Sequence, residues 1–165
     1  MGGVTVFVCA ACGTVLTEAV TRLPELPERP PDMARFESGD PYRRAPSTVG
    51  RGFYALDPEP WGPPFVPTDE AVAIFPGGPC VADPDGDGFL VSAGPRNTIV
   101  LHPEDAPVLE YSPKDGDMGC CGVPGTAGLN MRCPACGVDV GTLISECYTA
   151  YELHLVPDLV RARDE

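Results

Sequence analysis

At 165 residues, 43% of them hydrophobic, the chain is long enough to bury a sizeable core and too apolar for a disordered one. A net charge of −13 argues against a nucleic-acid reader, since phosphate contacts need clustered Lys and Arg and the densest basic group is Arg43-Arg44 with Arg51 nearby. With 21 prolines and 19 glycines it reads as a loop-rich, mainly β protein with little helix, one domain over residues 1–165.

Val4, Val6 and Val8 alternate with Thr5 and Phe7 as in a strand. The turn Cys9-Ala-Ala-Cys12-Gly13 then leads into Thr14–Val20, so the pattern predicts a β-hairpin whose turn carries two thiols. Residues 23–48 hold six prolines and are expected to run as an extended surface loop. Gly52–Leu56 is a short strand candidate. The next stretch, to Pro64, is too rich in proline for a sheet interior. Thr68–Phe75 has the start of a short helix, with Thr68 as N-cap and Asp69 and Glu70 in its first turn. Further strands are predicted at Gly88–Ser92, Asn97–Leu101, Val108–Tyr111, Leu129–Arg132 and Val140–Val156, the last broken near Cys147. Pro157–Arg163 is expected to add one or two helical turns.

Cys9, Cys12, Cys133 and Cys136 are the strongest chemical signal. Each Cys-x-x-Cys turn places two thiolates on one side of a tight loop, and the trailing glycine lets the chain leave it with positive φ. Two such halves make one tetrahedral site, for which zinc is the expected ion, ahead of iron in a rubredoxin-like site. A thioredoxin-like redox pair would open a helix in a βαβ unit, whereas both turns here lie between β-rich segments. Joining them closes a loop of about 120 residues, at a cost of roughly 4 kcal/mol against the roughly 10–16 kcal/mol that thiolate–zinc binding contributes. Such a site has no open position and is structural.

Cys80, Cys120, Cys121 and Cys147 remain. As small buried hydrophobes they need no function. Alternatively Cys120 or Cys121 joins Cys147, Cys80, His102 or His154 in a second metal or thiol site, with Cys147 and Cys121 as candidate catalytic thiols. His154, in an apolar Leu153-His-Leu155 stretch, reads as a strand residue. Asp83, Asp85 and Asp87 occupy positions one, three and five of a calcium-loop pattern, with Gly88 at six and Leu90 at eight. Position twelve is Gly94 rather than a closing Glu, so an acidic turn between two strands is the better reading and Ca²⁺ the minor one. Trp61, Phe65, Phe53 and Tyr54 are expected to cap the core rather than line a ligand groove.

The N-terminus carries no basic n-region, and its apolar run from Val4 to Cys12 is well short of the roughly 20 residues that span a bilayer. The expected setting is the cytoplasm, without membrane or nucleic-acid partners, as a monomer or homodimer with eight cysteines that are ligands or thiols.

Three segments carry a resemblance: the opening Cys9-x-x-Cys12-Gly13, the middle Tyr54-Ala-Leu-Asp57-Pro-Glu-Pro-Trp-Gly-Pro-Pro64, and the closing Gly128-Leu-Asn-Met-Arg-Cys133-Pro-Ala-Cys136-Gly137. On these the chain resembles uncharacterised actinobacterial zinc-knuckle proteins. In architecture, paired distant knuckles look like zinc-ribbon and β-tent proteins, a group that includes methionine sulfoxide reductase B, cereblon's ligand-binding domain and Yippee-like proteins. The resemblance implies antiparallel sheets pinned by a four-cysteine zinc site. It implies no activity, because Ser145-Glu-Cys147-Tyr-Thr lacks the reductase's Arg-x-Cys-x-Asn pattern and one tryptophan does not make cereblon's cage. A protein- or small-ligand-binding module is the leading functional expectation. A thiol-dependent redox enzyme or sensor using Cys147 with Cys120 or Cys121 is the second, and metal handling through a further Cys/His site the third.

Overall fold

The computed structural model describes residues 3–30, 37, 39–41, 44–69, 80–147 and 149–165. The chain is mainly β. Among the described residues twelve strands run in the order β1 (Val4–Cys9), β2 (Val20–Arg22), β3 (Phe53–Asp57), β4 (Phe65–Thr68), β5 (Cys80–Ala82), β6 (Phe89–Ser92), β7 (Thr98–Leu101), β8 (Glu110–Tyr111), β9 (Met131–Arg132), β10 (Asp139–Ile144), β11 (Glu152–Leu155) and β12 (Val160–Asp164). A 3₁₀ turn at Pro103–Asp105 follows β7.

Nine strands form one sheet in the order β12-β1-β2-β3-β7-β11-β10-β9-β8, and β4-β6-β5 form a second, smaller one. Among the described strands of the large sheet only β2–β3 pairs in parallel. Five strands lie between β1 and β9, so in a flat sheet they would stand roughly 29 Å apart at the usual strand spacing. Yet Cys9, which ends β1, and Cys136, just beyond β9, have sulfurs 3.7 Å apart. The sheet therefore curls until its two flanks meet at the cysteines.

Strand alternation gives the curled sheet two different faces. One is apolar, with Phe7, Tyr54, Ile99, Leu101, Leu153 and Leu155 in the main core. Cys9 and Cys133 belong to that core and are fully buried. The other face carries Asp57, Thr98, Thr142, Glu152 and His154, all almost fully buried, beside Ala55 and Val100. It is covered by segments around Leu23, Leu26, Arg29 and Val49. The stretch expected as a surface loop is thus, in its described parts, a lid on the polar side of the sheet.

Two expectations change. Residues 157–163 do not add helical turns. From Val160 the chain is strand β12, which pairs with β1 from Thr5 to Cys9 and covers that edge. The unsatisfied strand edge outweighs the weak local signal from Pro157. After the first knuckle the return strand is only an isolated bridge, Val15 to Val8, before β2 begins at Val20. There the Thr17 hydroxyl accepts from the Phe7 N–H at 2.9 Å, replacing a ladder bond. Pro67 does sit in a strand, but on an edge of the small sheet, where a missing N–H is tolerated. The helix expected at Thr68–Phe75 lies outside the described residues from 70 onward, and Thr68 itself closes β4. No described helix is long and apolar enough to cross a membrane.

Candidate functional site

Cys9, Cys12, Cys133 and Cys136 converge as the sequence predicts, with all four sulfurs within 4.8 Å of one another. Sulfur separations of 3.7 Å (Cys9–Cys136) and 3.6 Å (Cys12–Cys133) fit a tetrahedral centre, whose sulfurs stand about 3.8 Å apart at the usual bond length of about 2.3 Å. The two knuckles are built alike. The Cys9 N–H donates to the Thr14 carbonyl and the Gly13 N–H to the Cys9 carbonyl, each at 2.8 Å. Cys133 with Val138, and Gly137 with Cys133, repeat this pattern at 2.9 Å. Gly13 and Gly137 take φ of 78° and 74°, the left-handed exit the spacing calls for. The Thr14 hydroxyl beside Cys12 lowers that thiol to about 6. At Cys136 the Val138 N–H lowers the thiol, but desolvation and the neighbouring sulfurs outweigh it and push it up to about 12. Four thiols this close share protons unless a cation replaces them, and the group can hold a metal ion.

A second group unites Cys120, Cys121 and Cys147 with a residue the sequence reading missed, Glu146. The Cys120 sulfur lies 3.5 Å from that of Cys121 and 3.4 Å from that of Cys147. Glu146 is buried and its carboxylate accepts the N–H groups of Cys121 (2.9 Å), Gly122 (3.3 Å) and Cys147 (2.8 Å), tying the two cysteine segments together. Burial would raise its carboxyl, but the Cys147 N–H and the surrounding donors hold it below the usual range. The flanking glycines allow close packing. A Cβ on Gly122 would lie 2.4 Å from the Ser145 carbonyl oxygen, and one on Gly119 would overlap the Glu146 carboxylate. Cys120 and Cys147 are not activated. Hydrogen bonding to Cys147, Cys121 and Glu146 pushes Cys120 up to about 12, and burial moves Cys147 upward too. Reactive thiols need the reverse.

The third constellation lies on the polar face of the sheet. Thr98 Oγ1 is 2.9 Å from His154 Nδ1, and His154 Nε2 is 2.6 Å from Glu152 Oε2. Glu152 also accepts from Thr48 and, at 2.9 Å, from Arg29 Nε, while Arg29 Nη2 reaches Asp57 at 2.8 Å. Burial alone would raise the Glu152 carboxyl, but His154, Arg29 and Thr48 outweigh it and hold it at about 2. Trp61 stacks on the His154 ring, with centroids 3.9 Å apart and planes 16° apart, and Arg29 lies over its indole at 5.2 Å. A cavity of about 320 Å³ opens here, lined by Trp61, Pro63, Leu129 and Val156 with Thr98, Thr142 and His154 as its polar groups. Gly94 makes room for the Trp61 segment, because a Cβ there would meet the Trp61 carbonyl oxygen at 2.1 Å.

Trp61 therefore does not simply cap the core, and the aromatics expected beside it disperse. Tyr54 packs edge-on against Phe7, and Phe53 is exposed. Among the described residues neither histidine joins a cysteine: His102 Nδ1 accepts the Glu104 N–H at 3.1 Å, and its ring lies edge-on to Tyr151. Cys80 begins β5, and its side chain lies outside the described residues. Asp83, Asp85 and Asp87 lie in the turn between β5 and β6, where the Asp85 N–H donates to the Asp83 carboxylate at 2.9 Å. Among the described residues only the two cysteine groups gather three or more ligand atoms, so these aspartates do not form a calcium shell.

No known protein family, curated protein sequence or solved structure matches this chain.

Proposed function

We propose that this protein is a zinc-clasped β module that binds a small, largely apolar ligand in the cavity under Trp61. The observation that carries it is the stacked Trp61–His154 pair beside that cavity. The wall is apolar apart from Thr98, Thr142 and His154, and the volume lies at the lower end of small-molecule sites. Beneath it the Glu152 carboxylate accepts from His154 Nε2, which fixes the imidazole, so the face toward the cavity is preorganised before a ligand arrives. A planar ring with one hydrogen-bonding group matches this combination of an aromatic edge, proline walls and two hydroxyls.

Cys9, Cys12, Cys133 and Cys136 would hold the metal, and zinc suits a closed four-thiolate set whose role is structural. Bound there, the ion supplies the cross-link that keeps the sheet curled and the cavity walls, contributed by strands from both halves of the chain, in place.

Trp61 is the chain's single tryptophan, which makes the test direct. Titrating small planar heterocycles should give a saturable change in its fluorescence. Thr142→Phe, which fills the cavity, should abolish that change while the metal content stays the same. Saturation that survives Thr142→Phe, or its absence across neutral and anionic members of the set, would overturn the reading.

A further inference from the structure

We propose that Cys120, Cys121 and Cys147 form a second metal site, open to solvent, that takes a thiophilic d¹⁰ cation on three sulfurs. Univalent copper and zinc share this chemistry.

Three observations combine. Sulfur separations of 3.4 and 3.5 Å bring the thiols within the span of a single ion. Cys120 and Cys121 are exposed and Cys147 is half-buried, so the group is reached from solvent and none of its thiols is buried as Cys9 and Cys133 are in the clasp. The frame beneath is tied by hydrogen bonds. The Asp117 carboxylate accepts the Gly125 N–H at 3.0 Å and the Asn130 amide at 2.6 Å, closing the base of the 117–125 loop. The Gly119 N–H donates to the Gly122 carbonyl at 2.8 Å, and the Ser145 N–H to the Val123 carbonyl at 2.9 Å.

Glu146 is a positioning residue and not a ligand here. Its carboxylate oxygens accept three backbone N–H groups that belong to both cysteine segments and, at 3.3 Å, the Cys120 thiol. It fixes the spacing of the sulfurs and places a negative charge behind them, which favours a cation. This is the outer-shell arrangement that metal sites use to orient their ligands. On binding, each coordinating thiol releases its proton to solvent as its sulfur bonds the ion, with no change of oxidation state. For zinc, which takes four ligands, three protein sulfurs leave a fourth position for an exchanging ligand, whereas univalent copper is satisfied by the three sulfurs alone.

The reduced protein, purified with its clasp loaded, would be titrated without oxygen with Zn²⁺ in one arm and univalent copper in the other. Metal is counted after desalting and followed by sulfur-to-metal charge-transfer absorption. One equivalent beyond the clasp's is expected in at least one arm, and the arm that retains it identifies the ion. That equivalent should vanish in Cys121→Ser and in the Cys120→Ser/Cys147→Ser double variant, with the clasp metal and the melting curve kept. Glu146→Gln should keep the stoichiometry and weaken affinity by about 10- to 100-fold. No extra equivalent in either arm, or one that survives the double variant, would overturn the proposal. An unchanged affinity in Glu146→Gln would remove Glu146 from it.

Discussion

The two cysteine groups use the same ligand atom in opposite ways. In the first, the thiols stand at strand ends, half of them inside the hydrophobic core, on two turns with the same hydrogen-bond pattern. In the second they stand on loops, mostly exposed, and a buried carboxylate outside the sulfur set does the organising. One group stands where the two flanks of the curled sheet meet; the other stands on loops beside the sheet. Thiolate number matters less than where the backbone holds the thiols, because a closed site in the core stabilises the fold while an open one on a loop can exchange its ion.

The comparison breaks most simply at Cys133. Cys133→Ser removes a fully buried ligand and leaves a hydroxyl in the apolar core. Bound structural zinc contributes roughly 10–16 kcal/mol, more than the whole stability of a typical domain. The variant should lose the cooperative melting transition, and strong chelation of the wild type should do the same. A melting curve within a few degrees of the wild type would show that the clasp does not hold the fold.

Acid reaches both cysteine groups, so the pH response of the sheet has to be separated from metal loss. Glu152 does this. Its carboxyl sits at about 2 in the folded chain against an ordinary 4.5, so its contribution is present above about pH 4.5 and is lost as pH falls toward 2. The shift corresponds to about 3 kcal/mol. Glu152→Gln should lower stability by that order near pH 7, since Arg29 and His154 then face a neutral partner. In denaturant titrations the gap between wild type and variant should close as pH falls from 4.5 to 2. A constant gap would mean that the ion pairs beneath Trp61 contribute nothing.

The clasp was legible because its signal is local: two Cys-x-x-Cys-Gly turns carry both ligands and geometry in five residues each. The strands with strong alternation were legible for the same reason. The rest depends on partners far apart in sequence. Glu152 and His154 looked like members of an ordinary strand, and only strand register together with Arg29, Thr48 and Trp61 turns them into a network. Pro157 argued for a helix until the free edge of β1 claimed the segment. Gly119 and Gly122 carry no local signal of their role, which is to let a loop press onto the Glu146 side chain and the Ser145 backbone. Sequence spacing can announce a thiol pair but not the carboxylate bracket that holds a third thiol beside it.

Gly122→Ala sharpens the contrast with the smallest change. The added methyl would meet the carbonyl oxygen of Ser145 at 2.4 Å and its carbonyl carbon at 2.9 Å, both backbone atoms that a rotamer change cannot clear. The loop must lift, at a cost of about 1–3 kcal/mol by analogy with overpacking. Lifting it separates the Cys121 and Gly122 N–H groups from Glu146, and Cys120 and Cys121 from Cys147. The clasp is untouched, because neither knuckle leans on this loop for a backbone hydrogen bond. The variant should melt a few degrees lower, keep the clasp metal and lose the second equivalent. If it lost both together, the two groups would be one cooperative site, and the distinction between a clasp and an exchange site would fail.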